Sequence, residues 1–152
     1  MSDAAPFSGP GYPVAGVRVI PRGRATYRSE PEADSTPVRH LAGYEPFSAL
    51  CRVSGVNPRD LASDVARIGD FVRQRREAIR SGGLEEAAAT FLGNVLVGLR
   101  EDAAWTRYGD EFPSAGTEQR HYEVLLLLDL LMDSDDATYR TCLDMIEEWG
   151  RS

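Results

Sequence analysis

Apolar residues recur with the spacing of an α-helix along most of the chain after residue 57, and this period leaves little room for a β-rich fold. Asn57 followed by Pro58 is a typical helix start, and Gly82-Gly83 is a typical stop. We therefore predict one helix between these signals. Its apolar stripe contains Leu61, Val65, Ile68, Val72 and Ile79.

Three more helices are predicted from the same pattern. Residues 84–100 have glutamates at the start and one apolar face, so this helix should pack antiparallel to the one before it. Thr117 as N-cap predicts a third helix through the apolar run at 124–132, which we expect at the centre of the domain. The last helix should begin after residues 134–136 and end at Gly150.

The remaining segments are less regular. Residues 1–36 contain five prolines and four glycines, which favours an extended segment, with a hairpin or edge strand at 14–28. A short helix is expected at 47–53, and a turn or small hairpin at 104–113. The predicted fold is mainly α: a four- to five-helix domain over residues 37–152 with a small β-hairpin element, preceded by an extended N-terminal segment.

Charge is distributed unevenly along the chain. All 17 basic residues are arginines, and residues 101–152 hold four of them against thirteen acidic residues. An acidic C-terminal third repels phosphate backbones and attracts basic proteins, so nucleic acid is disfavoured as a partner. A solvated surface that aids solubility is the alternative explanation. No apolar run is long enough to span a membrane and no leader is evident, so we expect a cytoplasmic protein without a membrane partner.

Residues that could carry chemistry are few. Cys51 and Cys142 lie in apolar patterns typical of buried, reduced thiols. Glu118 and His121 form one Glu-x-x-His pair, but a di-iron site needs two such pairs and His40 has no glutamate three residues before it. The nucleophile-elbow, Walker and dinucleotide motifs are also missing. We therefore expect a protein that is not an enzyme and that has no catalytic residue, metal or cofactor.

Two groups of side chains are candidate partner-binding surfaces. Arg73, Arg76 and Arg80 form a stripe that could bind a partner's carboxylates or phosphates. The alternative is that this stripe pairs with acidic residues of the chain's own C-terminal helices.

An aromatic and acidic cluster at the predicted turn has a composition that is enriched at protein interfaces. Its members are Trp105, Tyr108, Asp110, Glu111 and Phe112. For Trp105, packing in the core is the competing interpretation.

One segment is similar to a known group of domains. Leu92-Gly93-Asn94-Val95-Leu96, followed nine residues later by Trp105, resembles small actinobacterial domains in which a Leu-Gly-x-x-Leu helix precedes a turn and an aromatic strand. The resemblance implies an actinobacterial cytoplasmic setting, consistent with the lack of lysine, and it carries no settled activity. That group has an extended sheet after the tryptophan, where this chain is predicted to form a helix.

These observations favour a non-enzymatic protein-binding module, such as an adaptor, chaperone or immunity-type inhibitor. It would engage another, basic protein through an acidic C-terminal surface that includes Asp133, Asp135 and Asp136. The first alternative is a structural or self-assembling component, a homo-oligomer joined through the N-terminal segment. A small-ligand binder or enzyme that uses a pocket between helices is the weaker second alternative.

Overall fold

The computed structural model describes residues 37–107 and 109–152, and in these ranges the elements are helices and three short strands. The predicted extended segment 1–36 and the hairpin at 14–28 lie outside the described residues. The mainly helical fold with a small β element is confirmed. In chain order the elements are α1 (Glu45–Val53), α2 (Pro58–Leu61), α3 (Val65–Gln74), α4 (Arg76–Ser81), α5 (Glu85–Gly98), β1 (Ala104–Thr106), β2 (Ser114–Gly116), β3 (His121–Glu123), α6 (Val124–Asp133) and α7 (Asp136–Arg151).

Local capping signals determine where α2 and α7 begin. The Asn57 side chain accepts a hydrogen bond from the backbone N–H of Arg59 at 2.8 Å, so Asn57 is the predicted cap of α2. Asp135 accepts from the N–H of Thr138 at 2.8 Å and caps α7 in the same way. The prediction that Gly150 ends the last helix is wrong, because α7 continues to Arg151. Because Gly150 has no side chain, Leu99 can pack closely against this part of α7.

The single helix predicted from residue 57 to 82 is instead three helices. Asp64 has an extended backbone, and its carboxylate accepts from the N–H of Ala66 at 3.0 Å, which makes it the N-cap of α3. An aspartate that bonds to nearby backbone competes with helix continuation, and this explains the break after α2. A second break lies at Arg75, whose φ of −108° and ψ of 21° separate α3 from α4.

Helix α5 forms the centre of the domain. It packs against α1, α3, α4, α6, β1 and β2, and most of its residues are buried. The central position that we predicted for the apolar run at 124–132 is therefore taken by α5. Helix α6 packs on α5, α3 and α7 but leaves one side in solvent, where Leu126 is 54% and Leu130 37% exposed.

The three strands form an antiparallel sheet in the order β1-β2-β3. Pairing of Trp105 with Ala115 confirms the small hairpin expected near residues 104–113, although its second strand starts one residue later. The predicted helix start at Thr117 is wrong, because residues 121–123 form strand β3 and the helix begins at Val124. Thr117 and Arg120 exchange backbone hydrogen bonds across a tight turn after Gly116, whose φ of 153° favours glycine.

A buried junction attaches the segment before α1 to α5 and to the sheet. The side chain of Asn94 bonds to both backbone groups of Leu41 at 2.9 Å and accepts from the indole N–H of Trp105 at 2.8 Å. The backbone N–H of Trp105 also donates to the carbonyl of Val38 at 2.8 Å. Across residues 37–107 and 109–152, no helix is both long and apolar enough to cross a membrane.

Candidate functional site

The arginine stripe of α3 and α4 faces the chain's own C-terminal helices. Arg73 donates to the carbonyls of Leu131 and Ser134 at 3.0 and 3.2 Å and pairs with Asp136 at 3.2 Å. Its guanidinium also lies 4.2 Å from the ring centre of Tyr139. Arginines at the carboxyl end of a helix stabilise its unpaired carbonyls, so Arg73 fastens α3 to the end of α6.

Arg76 and Arg80 continue the same contact. Arg76 donates to the carbonyl of Met132 at 2.8 Å. Arg80 binds Asp133 closely and bonds to Asp129 at 3.2 Å, and these carboxylates are the main reason that the pKa of its guanidinium is raised. The geometry therefore favours internal pairing over a free, partner-binding stripe for Arg73, Arg76 and Arg80.

The aromatic and acidic cluster is divided between the core and the surface. Trp105 is fully buried against α5, so it offers no contact area to a partner. Phe112 is half-buried and packs against the core, whereas Asp110 and Glu111 are exposed. Tyr108 lies outside the described residues. At least the largest residue of the predicted cluster, Trp105, therefore belongs to the core.

The three predicted acidic contacts near the α6–α7 link all have partners within the chain. Asp133 and Asp136 pair with the arginine stripe. Asp135 caps α7, and its backbone hydrogen bond from Thr138 lowers the pKa of its carboxyl. On the described surface, the acidic residues of α7 without such a partner are Asp144, Glu147 and Glu148, all exposed.

Helices α6 and α7 are antiparallel neighbours, joined by a two-residue link. The ring of Tyr122, just before α6, lies 5.3 Å from that of Trp149 near the end of α7. On α6 the spacing of three and four residues places Leu126, Asp129, Leu130 and Asp133 on one exposed side. We call these four residues with Asp144, Glu147 and Glu148 the outer face.

The groups considered for catalysis and metal binding are not assembled into a site. Burial raises the pKa of the Cys51 thiol to about 11 and also raises that of Cys142, which disfavours the reactive thiolate at neutral pH. Glu118 lies in the turn after β2, and His121 in β3, so they do not share a helix face. In the described part of the chain, no group of three or more histidine, cysteine or carboxylate side chains is placed to hold a metal ion.

Sequence analysis missed a groove between α1, α2 and α5. It has a volume of about 640 Å³, and Tyr44, Phe91, Val95 and Leu99 supply its apolar walls. Arg52 and Arg59 lie at its polar side. These lining residues come from segments about 40 residues apart, so only the packing of α1 and α2 on α5 brings them together.

No family model matches this chain, and no curated protein or solved structure is significantly similar to it. Its function is therefore inferred from its own geometry.

Proposed function

We propose that the chain is a non-enzymatic protein-binding module that engages a basic partner through the outer face of α6 and α7. The observation that carries the proposal is the exposure of Leu126 and Leu130, one turn apart on α6, which is a direct neighbour of the acidic helix α7. Exposed leucines at this spacing are typical anchors for a partner groove or helix. Scattered single apolar residues are common on surfaces, whereas two on one face with flanking charges form a patch.

Charge supports a basic partner. Residues 124–152 hold seven acidic residues against two arginines. Arg73, Arg76 and Arg80 are already bound near the α6–α7 link, and they leave Asp144, Glu147 and Glu148 of α7 uncompensated. Complementary charge at the rim of an interface speeds encounter and selects partners, while the apolar centre holds the complex together.

The apolar part of the proposal is tested by affinity capture of the tagged full chain from a native-type host, with mass spectrometry of bound proteins. Leu126→Ser combined with Leu130→Ser should abolish capture of a stoichiometric basic partner. Val53→Ser is the matched control, because Val53 is 82% exposed on α1, away from the outer face. The leucines do not anchor a partner if the double variant captures as much of it as the wild type does, or if Val53→Ser loses as much as the double variant.

The acidic part is tested in the same assay at low and moderate salt. Glu147→Gln with Glu148→Gln should weaken binding and reduce its salt dependence, because screening acts on exposed charge pairs. Glu77→Gln with Glu86→Gln removes the same charge from α4 and α5 and should leave binding unchanged. Recovery of the chain alone as a homo-oligomer would replace this proposal with the self-assembling alternative.

A further inference from the structure

We propose that the groove between α1, α2 and α5 binds a small organic anion: a carboxylate or phosphate monoester attached to an apolar tail or ring. This site is separate from the outer face and does not depend on the proposed protein-binding function. The volume of about 640 Å³ lies within the range that holds small ligands in proteins.

The polar side of the groove selects for negative charge. Arg52 lies in the last turn of α1 and Arg59 is the second residue of α2, so the short connection between these helices places both arginines at the groove. Neither side chain has an ion pair or hydrogen bond within residues 37–107 and 109–152, in contrast to the arginines of α3 and α4. Two guanidinium groups without a carboxylate are suited to an oxyanion, which accepts two parallel N–H bonds from each fork.

The same lining disfavours a cation as the ligand. Of the side chains that line the groove, none is acidic and none is a cysteine. In a chain with a net charge of −7, this is a local region of the opposite sign. An anionic ligand is therefore attracted to the groove and repelled by most of the remaining surface.

The apolar walls require more than an inorganic ion. Phe91 and Val95 of α5 and Tyr44 before α1 line the groove, and Leu99 is 38% exposed beside them. Water at these walls is displaced favourably only by apolar groups, which stabilise a complex by about 25 cal/mol per Å² of buried apolar surface. The ligand must therefore combine an anionic end with an apolar body.

One further polar group, the hydroxyl of Ser48, lines the groove. Ser48 of α1 is 4% exposed and lines the groove, and its hydroxyl, which makes no hydrogen bond within the described residues, is accessible to solvent. A ligand oxygen can therefore replace water at this hydroxyl.

The groove is also held in shape by contacts that do not involve a ligand. Asn94 lines it and forms three hydrogen bonds that attach Leu41 and Trp105 to α5. Phe91 packs against Phe47 with ring centres 5.0 Å apart, which joins α1 to α5. A preformed site loses less conformational entropy when a ligand binds.

The test uses the full chain and four probes in calorimetric titration and amide NMR: decanoate, decyl phosphate, decanol and acetate. Decanoate or decyl phosphate should bind with one-to-one stoichiometry and shift the amide signals of Phe91, Val95 and Leu99. Preference between these two probes identifies the anionic group. Decanol and acetate should each bind at least tenfold more weakly, because decanol lacks the charge and acetate lacks the apolar body.

Variants locate the binding to the groove. Arg52→Gln and Arg59→Gln should each weaken binding of the preferred anion by roughly tenfold, which is the loss of one charge-assisted contact. Arg67→Gln on α3 is the matched control, since Arg67 is exposed, has no partner in the described residues and does not line the groove. Three results would overturn the proposal: no binding of either anion, equally tight binding of decanol, or equal weakening by Arg67→Gln.

Discussion

Replacement of Gly93 by alanine provides the sharpest test of how this domain is packed. A Cβ atom at Gly93 would lie 2.1 Å from Cη2 and 2.3 Å from Cζ2 of Trp105. Carbon atoms in ordinary contact are about 3.5–4.0 Å apart, so the indole or the helix must move by roughly 1.5 Å. Trp105 is fully buried, and its indole N–H donates to Asn94, so movement of the ring would strain this bond.

The expected free-energy change combines three effects. Overpacking of a core costs about 1–3 kcal/mol, and a weakened buried hydrogen bond costs about 1–3 kcal/mol. Alanine is favoured over glycine within a helix by about 1 kcal/mol, which acts in the opposite direction. We therefore expect Gly93→Ala to lower the free energy of unfolding by about 3 kcal/mol, a large share of the roughly 5–15 kcal/mol typical of a domain.

Urea unfolding followed by circular dichroism and tryptophan fluorescence measures this change. Gly98→Ala is the matched control, because it lies in the same helix with nothing within 4 Å of its added Cβ, and it should leave stability unchanged or raise it by up to about 1 kcal/mol. In a Trp105→Phe background, which lacks the crowded ring atoms, Gly93→Ala should cost far less. If Gly93→Ala is as stable as the wild type, the close packing of α5 on Trp105 is refuted.

Three further predictions concern the ends of helices and a buried thiol. Arg73→Met should lower the free energy of unfolding by about 1–3 kcal/mol through loss of its bonds to the end of α6, while Arg67→Gln on the same helix should change it by less than about 0.5 kcal/mol; urea midpoints compare the two. The pKa of Cys51 is raised from its ordinary 9.0 to about 11, so its contribution to stability is present below pH 9 and is lost as the pH rises towards 11. Wild-type stability should therefore fall more steeply with pH than that of Cys51→Ala, by up to about 1.4 kcal/mol per pH unit. Asp135→Ala should lower the urea midpoint at pH 7, and the difference from wild type should vanish in acid, because the lowered pKa of Asp135 stabilises the fold only while the carboxylate is ionised.

Helix starts were predictable wherever a single side chain determines them. Asn57 and Asp135 cap α2 and α7 as their local sequence indicates, because the capping bond reaches only two or three residues. Asp64 provides the same signal in front of α3, but the continuous apolar stripe around it favoured one long helix. The apolar periodicity correctly predicted which side chains are buried, but it wrongly predicted that they belong to one continuous helix.

Strand β3 could not be identified from its own residues. Thr117 followed by Glu118 resembles a helix N-cap. Together with the apolar run that begins at Val124, it favours a helix that already begins at Thr117. The strand exists because Tyr122 pairs with Ala115, and a pairing between segments depends on the partner strand. Gly116 was the available signal, since its left-handed backbone permits the turn that returns the chain to β2.

Residues 92–96 and Trp105, which carried the resemblance noted in the sequence, have a packing role in this structure. Gly93 leaves the space that the indole fills, and Asn94 binds the indole N–H, so a helix and a strand eleven residues apart meet without a cavity. A short sheet does follow Trp105, where a helix was predicted. The motif therefore reports how α5 packs on the sheet and carries no information about a ligand or a partner.

The distribution of charge in the folded chain differs from the distribution along the sequence. Arg73, Arg76 and Arg80, for which internal pairing was one of the two interpretations, neutralise the acidic end of α6 and so remove much of the excess charge predicted there. The unneutralised charges are those that this pairing does not reach. Among them are Asp144, Glu147 and Glu148 of α7, and Arg52 and Arg59 beside the groove. Internal pairing thus separates two surfaces of opposite sign, and each is expected to attract a different kind of ligand.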